Sequence, residues 1–214
     1  MTFGDSNPLK DNHSTASQNL LFEGLIEGLL TQEVGHQTHF FSENLVKGLR
    51  EQLWRHYKAG EMHPAGIGNK FVHQKNAEVR GDLIKWIEND SEVEVEQIFL
   101  AVLKVFVDYL NRTCYTGIND FEFHYALYDV GSFYQPHIDQ FKSDSCRKYS
   151  FVLYLNEDWK EEDGGMFVAY LDEMKIEIIP EGGTVCFFAS DQIRHEVKLA
   201  HRKRMSIAGW LKKV

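Results

Sequence analysis

"FEFHYALYDV" (residues 121–130) runs through a short loop into "YQPHIDQF" (134–141), and at this point helical periodicity leaves the sequence. From here to the C-terminus the chain breaks into short β-prone runs: "RKYSFVLYLN", "GGMFVAYL", "KIEIIP", "GGTVCFFAS", "IRHEV" and "RMSIAGWL". Gly-Gly, Pro-Glu-Gly and Asp/Asn turns punctuate them. Seven or eight strands in the last 95 residues suit a double-sheet jelly roll of cupin type. The second quoted run also carries chemistry. Side chains on a strand alternate, so His137 and Asp139 point one way and Ile138 the other. A histidine and a carboxylate converging from one strand are two of the three ligands of the 2-His-1-carboxylate facial triad, which leaves open positions on a non-haem iron(II).

Upstream the pattern is helical. Leu21, Leu25, Ile26 and Leu29 follow a 3.6-residue period within 18–32, despite two glycines, and "GHQTHFF" (35–41) reads as a short strand. On such a strand His36 and His39 face opposite ways, as ordinary strand residues. Ser42 is placed to cap a helix whose stripe is Leu45, Leu49, Leu53 and Tyr57. Ser91 and Glu94 form a capping-box pattern ahead of Val95, Ile98, Phe99, Val102, Phe106 and Tyr109. Between these helices, residues 63–78 mix glycine, proline and charge, and read as a loop or hairpin finger entering a strand at 79–87. The expected fold is α+β: a double-stranded β-helix (jelly roll, cupin-like) core with N-terminal supporting helices. Residues 1–17 read as a disordered tail, 18–118 as helical support and finger, and 119–214 as the core, making one domain.

Composition narrows the function. The formal charge of −9 argues against non-specific nucleic-acid binding, which phosphate attraction dominates. No apolar run reaches the roughly eighteen residues of a membrane span, and the N-terminus lacks a signal-peptide pattern. Cys114, Cys146 and Cys186 are odd in number and widely spaced. They argue against disulfides and zinc and point to a reducing cytoplasm.

A third ligand is available in His195, 58 residues beyond His137, because a jelly roll brings distant strands to one mouth. Arg204 follows nine residues later and opens the last run. An iron with three protein ligands needs an electron source for dioxygen, and 2-oxoglutarate supplies it by chelating through its keto-acid end. Its far carboxylate needs a permanent, fork-shaped cation, which is what arginine offers. Tyr154 is a second donor candidate, and Ser206, on the face of Arg204, a third. His63, His73, His124 and His201 read as structural or solvated.

These motifs, with "FVLYLNEDWKEEDGGMFVAY", resemble the iron(II)/2-oxoglutarate-dependent prolyl hydroxylases, specifically the oxygen-sensing branch of animals and its bacterial relatives. "VRGDLIKWI" (79–87) and "RMSIAGW" extend the likeness over about residues 35–214. It implies iron ligation by His137, Asp139 and His195, and a 2-oxoglutarate carboxylate held by Arg204 and Tyr154. Tyr128 matches the tyrosine near the chelating end, with spacing one residue shorter. Asp82 and Arg147 match a pair that positions a substrate finger, and Trp210 the aromatic at the pocket. Ser206 stands where the animal enzymes carry a small apolar residue, and Arg194 where they carry proline.

The expectation is therefore a dioxygenase using iron(II), 2-oxoglutarate and dioxygen, with ascorbate as a candidate reductant. It would hydroxylate a protein, at proline, through a mobile finger, and bacterial relatives suggest a translation factor. Two rivals are an oxygenase of a free amino acid or metabolite and a non-catalytic metal-binding β-barrel sensor. An anion-binding arginine has no place in the latter. A nucleic-acid demethylase of the same chemistry is disfavoured by the acidic charge.

Overall fold

The computed structural model describes residues 15–66, 80–140 and 145–214. Three helices, α1 (Thr15–Gln32), α2 (Glu43–Lys58) and α3 (Glu94–Cys114), precede most of the strands. The strands are β1 (Val34–Gln37), β2 (His63–Pro64), β3 (Asp82–Ile87), β4 (Asp120–Tyr128), β5 (Tyr134–His137), β6 (Arg147–Tyr154), β7 (Phe167–Tyr170), β8 (Lys175–Ile178), β9 (Val185–Ala189), β10 (Arg194–Val197) and β11 (Arg204–Lys212). Every β-prone run after residue 120 becomes a strand. They form a major sheet ordered β1-β9-β6-β11-β4-β3-β2 and a minor sheet ordered β5-β10-β7-β8, all pairs antiparallel. This is the expected double-sheet core with helical support.

The major sheet has two buried faces, and strand alternation assigns their residues. Phe123, Tyr125 and Leu127 of β4, with Phe151 and Leu153 of β6 and Ile207 of β11, join the core beneath the helices. There Phe22 and Phe106 pack with ring centroids 5.0 Å apart, and Phe106 meets Phe187 at 5.3 Å. The intervening residues, His124, Ala126 and Tyr128 on β4 and Arg204, Ser206, Ala208 and Trp210 on β11, line a cavity between the sheets. Small side chains at the centre of this floor leave the space, and larger polar and aromatic ones bound it.

Several expected boundaries differ. Helix α1 begins at Thr15, not residue 18, and residues 1–14 of the expected tail lie outside the described residues. Strand β1 stops at Gln37, because His39 turns the chain with φ of 57°. His36 and His39 are therefore not strand neighbours. Ser42 does cap α2, accepting from the Leu45 N–H at 3.2 Å. Ser91 does not cap α3: the cap is Val93, and the Ser91 hydroxyl donates to Glu96 inside the first turn. Of the expected finger, His63–Gly66 are described and 67–78 lie outside the described residues. Among the described residues no helix is long and apolar enough to cross a membrane.

One of the two glycines that weakened the helical reading of α1, Gly28, has a packing role, and so does Gly35 on β1. A Cβ on Gly28 would lie 2.7 Å from the Gly35 Cα, and one on Gly35 would lie 2.1 Å from the Leu25 carbonyl oxygen. Backbone meets backbone where α1 crosses β1, so neither side can yield cheaply. Gly35→Ala should cost about 1–3 kcal/mol of stability through overpacking. Urea unfolding checks this, and an unchanged midpoint would show that helix and strand can separate without loss.

Candidate active site

Strand β10 pairs with β5 so that His195 faces His137 across the ladder. Their ring centroids are 4.3 Å apart. Asp139 lies just past the end of β5, in a bend, and not on the strand as the alternation argument assumed. It still converges: His137 Nε2 is 3.4 Å from Asp139 Oδ1, and His195 Nε2 is 3.8 Å from Oδ2. The ligand atoms of all three residues lie within 4.8 Å of one another.

Each ligand is oriented from behind. The His137 Nδ1 faces the Gln135 carbonyl at 2.8 Å, and the His195 Nδ1 faces that of Ile193 at 3.0 Å. Donation from both Nδ1 atoms fixes the tautomer that leaves the Nε2 lone pairs converging, the usual outer-shell device of metal sites. The Ser150 hydroxyl donates to Asp139 Oδ2 at 2.7 Å and meets Ser190 Oγ at 2.9 Å. Burial alone would raise the Asp139 carboxyl. Attraction to the two imidazoles and the hydroxyl bond outweigh it and hold the group well below the usual carboxylate range. His195, enclosed by Phe167 and Phe188, is lowered by burial to about 4 and stands neutral. Two imidazoles and one carboxylate are the donor set that suits iron(II) with open positions.

Arg204 lines the same cavity at 2% exposure. Its Nε donates to the Gly165 carbonyl at 2.8 Å, and Nη1 reaches Ser206 Oγ at 3.5 Å. No carboxylate pairs with it among the described residues. A Cβ on Gly165, whose φ is 64°, would lie 2.9 Å from the Arg204 Cδ, so only glycine lets the chain clamp the guanidinium here. The rings of Tyr128 and Tyr154 lie 5.1 and 5.0 Å from its central carbon. Burial raises both phenols, so each keeps its proton and can donate. The Tyr154 hydroxyl meets the Cys186 thiol at 3.4 Å, beneath the cavity wall. A buried cation without an anion fits a dicarboxylate co-substrate.

The expected substrate-side residues are present but paired otherwise. Asp82 and Arg147 do not form the expected ion pair. Asp82 takes a two-pronged bond from Arg80 at 2.7 and 2.6 Å, and Arg147 pairs with Glu122 at 2.8 Å. Strand order explains it. Two strands separate β3 from β6, a span of about 14 Å at ~4.8 Å per step. Arg147 instead lies over Trp210, 3.4 Å from the ring centroid, and its Nη1 reaches the Asp139 main-chain oxygen at 3.4 Å. Lys212 pairs with Asp120 and Glu122, away from the Arg204 end.

Two residues were missed. Arg80 lines the cavity, and its i, i+2 spacing to Asp82 on an extended chain was the available signal. His124, read as structural or solvated, also lines the cavity, between Trp86 (4.9 Å) and Trp210 (5.5 Å). Its Nδ1 and the Trp210 Nε1 are buried and have no hydrogen-bond partner among the described residues. Such orphans cost about 1–3 kcal/mol each and concentrate at functional sites.

The comparisons with known proteins agree with this geometry. The model of the 2OG-Fe(II) oxygenase superfamily matches residues 123–212. A prolyl-4-hydroxylase from Pseudomonas putida is 33% identical, with TM-score 0.83, covering 90% of this chain and all of its own. A prolyl hydroxylase from Trichoplax adhaerens, solved with a peptide fragment of the hypoxia inducible factor oxygen degradation domain, has TM-score 0.84 at 23% identity. That match covers 94% of each chain. A viral collagen prolyl hydroxylase from Paramecium Bursaria Chlorella virus-1, solved with 2OG, shares the fold at TM-score 0.61 and 18% identity, covering 86% of this chain and 98% of its own. The chain belongs to the 2OG-Fe(II) oxygenase superfamily. It is a 2-oxoglutarate-dependent dioxygenase of prolyl hydroxylase type in fold, using iron(II), 2-oxoglutarate and dioxygen.

His124 also makes a pH prediction. Burial, then repulsion from Arg80, lowers its imidazole from 6.5 to about 3. Between those values the unfolded chain takes up a proton that the folded site refuses. Its contribution is therefore complete above pH 6.5 and is lost as pH falls towards about 3. His124→Leu should lose less stability than the wild type over that window, read as urea midpoints against pH. Parallel losses would assign the acid sensitivity to other groups.

Proposed function

We propose that this dioxygenase hydroxylates a prolyl residue in a polypeptide substrate. The observation that carries the co-substrate half is the buried Arg204, which has no carboxylate partner among the described residues, in one cavity with the His137–Asp139–His195 triad. The prolyl half is supported by the likeness to the bacterial prolyl-4-hydroxylase over 90% of this chain. In this reading His137, Asp139 and His195 hold iron(II). Arg204 pairs with the far carboxylate of 2-oxoglutarate, assisted by Ser206 and Tyr154, and Tyr128 lies towards the chelating end. Bound iron(II) with 2-oxoglutarate and dioxygen supplies the oxidising chemistry that puts one oxygen atom into a C–H bond, with succinate and carbon dioxide as by-products.

The chain's own part is positioning. Gly165 and Ser206 hold the guanidinium, while the Gln135 and Ile193 carbonyls and Ser150 hold the ligands. Phe167 and Phe188 shield His195 from water. Asp82, Arg147 and Trp210, with the 63–78 finger, are assigned to the substrate side. The peptide in the Trichoplax adhaerens enzyme supports a polypeptide substrate. The three free cysteines support the cytoplasmic assignment. A translation factor remains the first substrate to try.

Incubation of candidate proteins with enzyme, iron(II) and 2-oxoglutarate, followed by mass spectrometry, should find one added oxygen on proline. Succinate formation without any modified protein, but with a modified amino acid or metabolite, would overturn the polypeptide assignment. Arg204→Ala should raise the KM for 2-oxoglutarate roughly thirtyfold or more, the cost of an unpaired buried charge partner, while iron affinity persists. An unchanged KM would place the carboxylate elsewhere.

A further inference from the structure

The two metal-site histidines are held very differently on their ring faces. His195 is enclosed by Phe167 and Phe188, with 7% of its side chain exposed. His137 is the more open, at 17%, and Tyr134 stacks on it with ring centroids 3.5 Å apart and planes 16° from parallel. The Nδ1 contact to Gln135 fixes where the His137 edge points but leaves its tilt free. Face-to-face stacking is what sets the tilt.

Tyr134 is itself held by the segment that leads into β3. The Arg80 guanidinium carbon lies 4.4 Å from its ring centroid. Residue 80 also forms a backbone bridge to Tyr134, and the Gly81 N–H donates to the Phe133 carbonyl at 3.1 Å. The guanidinium cannot swing away, because Nε and Nη2 donate to the two oxygens of Asp82, which is 2% exposed. Arginine suits this post: it is planar, permanently charged and able to fork onto a carboxylate while lying on an aromatic face. The contacts therefore run in one line, from Asp82 to Arg80, then Tyr134, then the metal-ligand imidazole.

We propose that Arg80 is a positioning residue for the metal ligand His137, acting through the ring of Tyr134. The proposal rests on the triad as the iron site and not on the prolyl substrate. It gives the Arg80–Asp82 pair a function at the metal in addition to its place in the cavity wall. Outer-shell partners of ligating histidines typically change metal affinity about ten- to a hundredfold when removed.

Cobalt(II) titration of the apo protein, followed by its visible absorption, tests this without turnover. Tyr134→Phe keeps the stacked ring and should match the wild type. Tyr134→Leu should bind cobalt(II) roughly ten- to a hundredfold more weakly, with shifted bands. The double variant Arg80→Met/Asp82→Asn leaves no unpaired buried carboxylate, and it should also bind more weakly. Adding Tyr134→Leu to that double variant should cost little more, because both changes remove one relay. Wild-type affinity and bands in Tyr134→Leu would overturn the proposal, as would fully additive losses. If either variant does not fold by circular dichroism, Arg80→Lys replaces it. Arg80→Lys keeps the charge without the planar fork, and wild-type cobalt affinity there overturns the proposal equally. A wild-type protein that binds no cobalt(II) would instead remove the iron-site assignment itself.

Discussion

The major sheet is buried on both faces, and that constraint organises the molecule. One set of alternating residues on β4, β6 and β11 seals against the helices, and the other set is released to line a cavity. A sheet covered on one side only would leave that second set solvated, where an arginine or a histidine carries no special chemistry. Here the second face is closed by the minor sheet, so Arg204 and His124 become buried polar groups in a shared space. The proposed iron ligands come from the minor sheet and its flanking bend, the proposed co-substrate cation from the major sheet. The candidate active site is the gap between the two sheets.

Within that gap the charges follow different rules. Arg80 and Arg147 are each matched by a carboxylate, Asp82 and Glu122. Arg204 is fixed by a carbonyl and a hydroxyl, neither of which carries charge. Burying an unpaired cation costs several kcal/mol, and neutral acceptors offset only part of it. The difference sets Arg204 apart from the arginines matched within the wall, and the proposed function rests on that contrast. Asp139 shows the complementary arrangement, a half-buried carboxylate held ionised by its close contacts with His137, His195 and the Ser150 hydroxyl.

Much of this was legible in the sequence, because it depends on local pattern. The eight runs after residue 120 carry their own turn punctuation, and all became strands. The triad and Arg204 were legible because their residue types and order match one chemistry closely. What failed was non-local. The Asp82–Arg147 pairing ignored the two strands that lie between β3 and β6, an order set by long-range pairing. The same oversight hid Arg80, although Arg80 and Asp82 are two apart and an extended chain puts such residues on one face. His124 stands outside the triad-and-arginine pattern, so its sequence context reads only as structural or solvated. That its neighbours would be Trp86 and Trp210 follows only from the register of β3 and β11 on β4. Ser91 fitted a capping box by spacing, yet its hydroxyl went to Glu96, whose carboxylate also receives Tyr125.

The central claim is that Arg204 is completed by the far carboxylate of a bound keto acid. Calorimetric titration of the metal-loaded wild-type protein with 2-oxoglutarate and with 2-oxobutyrate tests it most directly. The two ligands share the chelating end and differ in that carboxylate. The account predicts roughly thirtyfold or more tighter binding of 2-oxoglutarate, the worth of one buried charge-assisted pair. Equal affinities would contradict it.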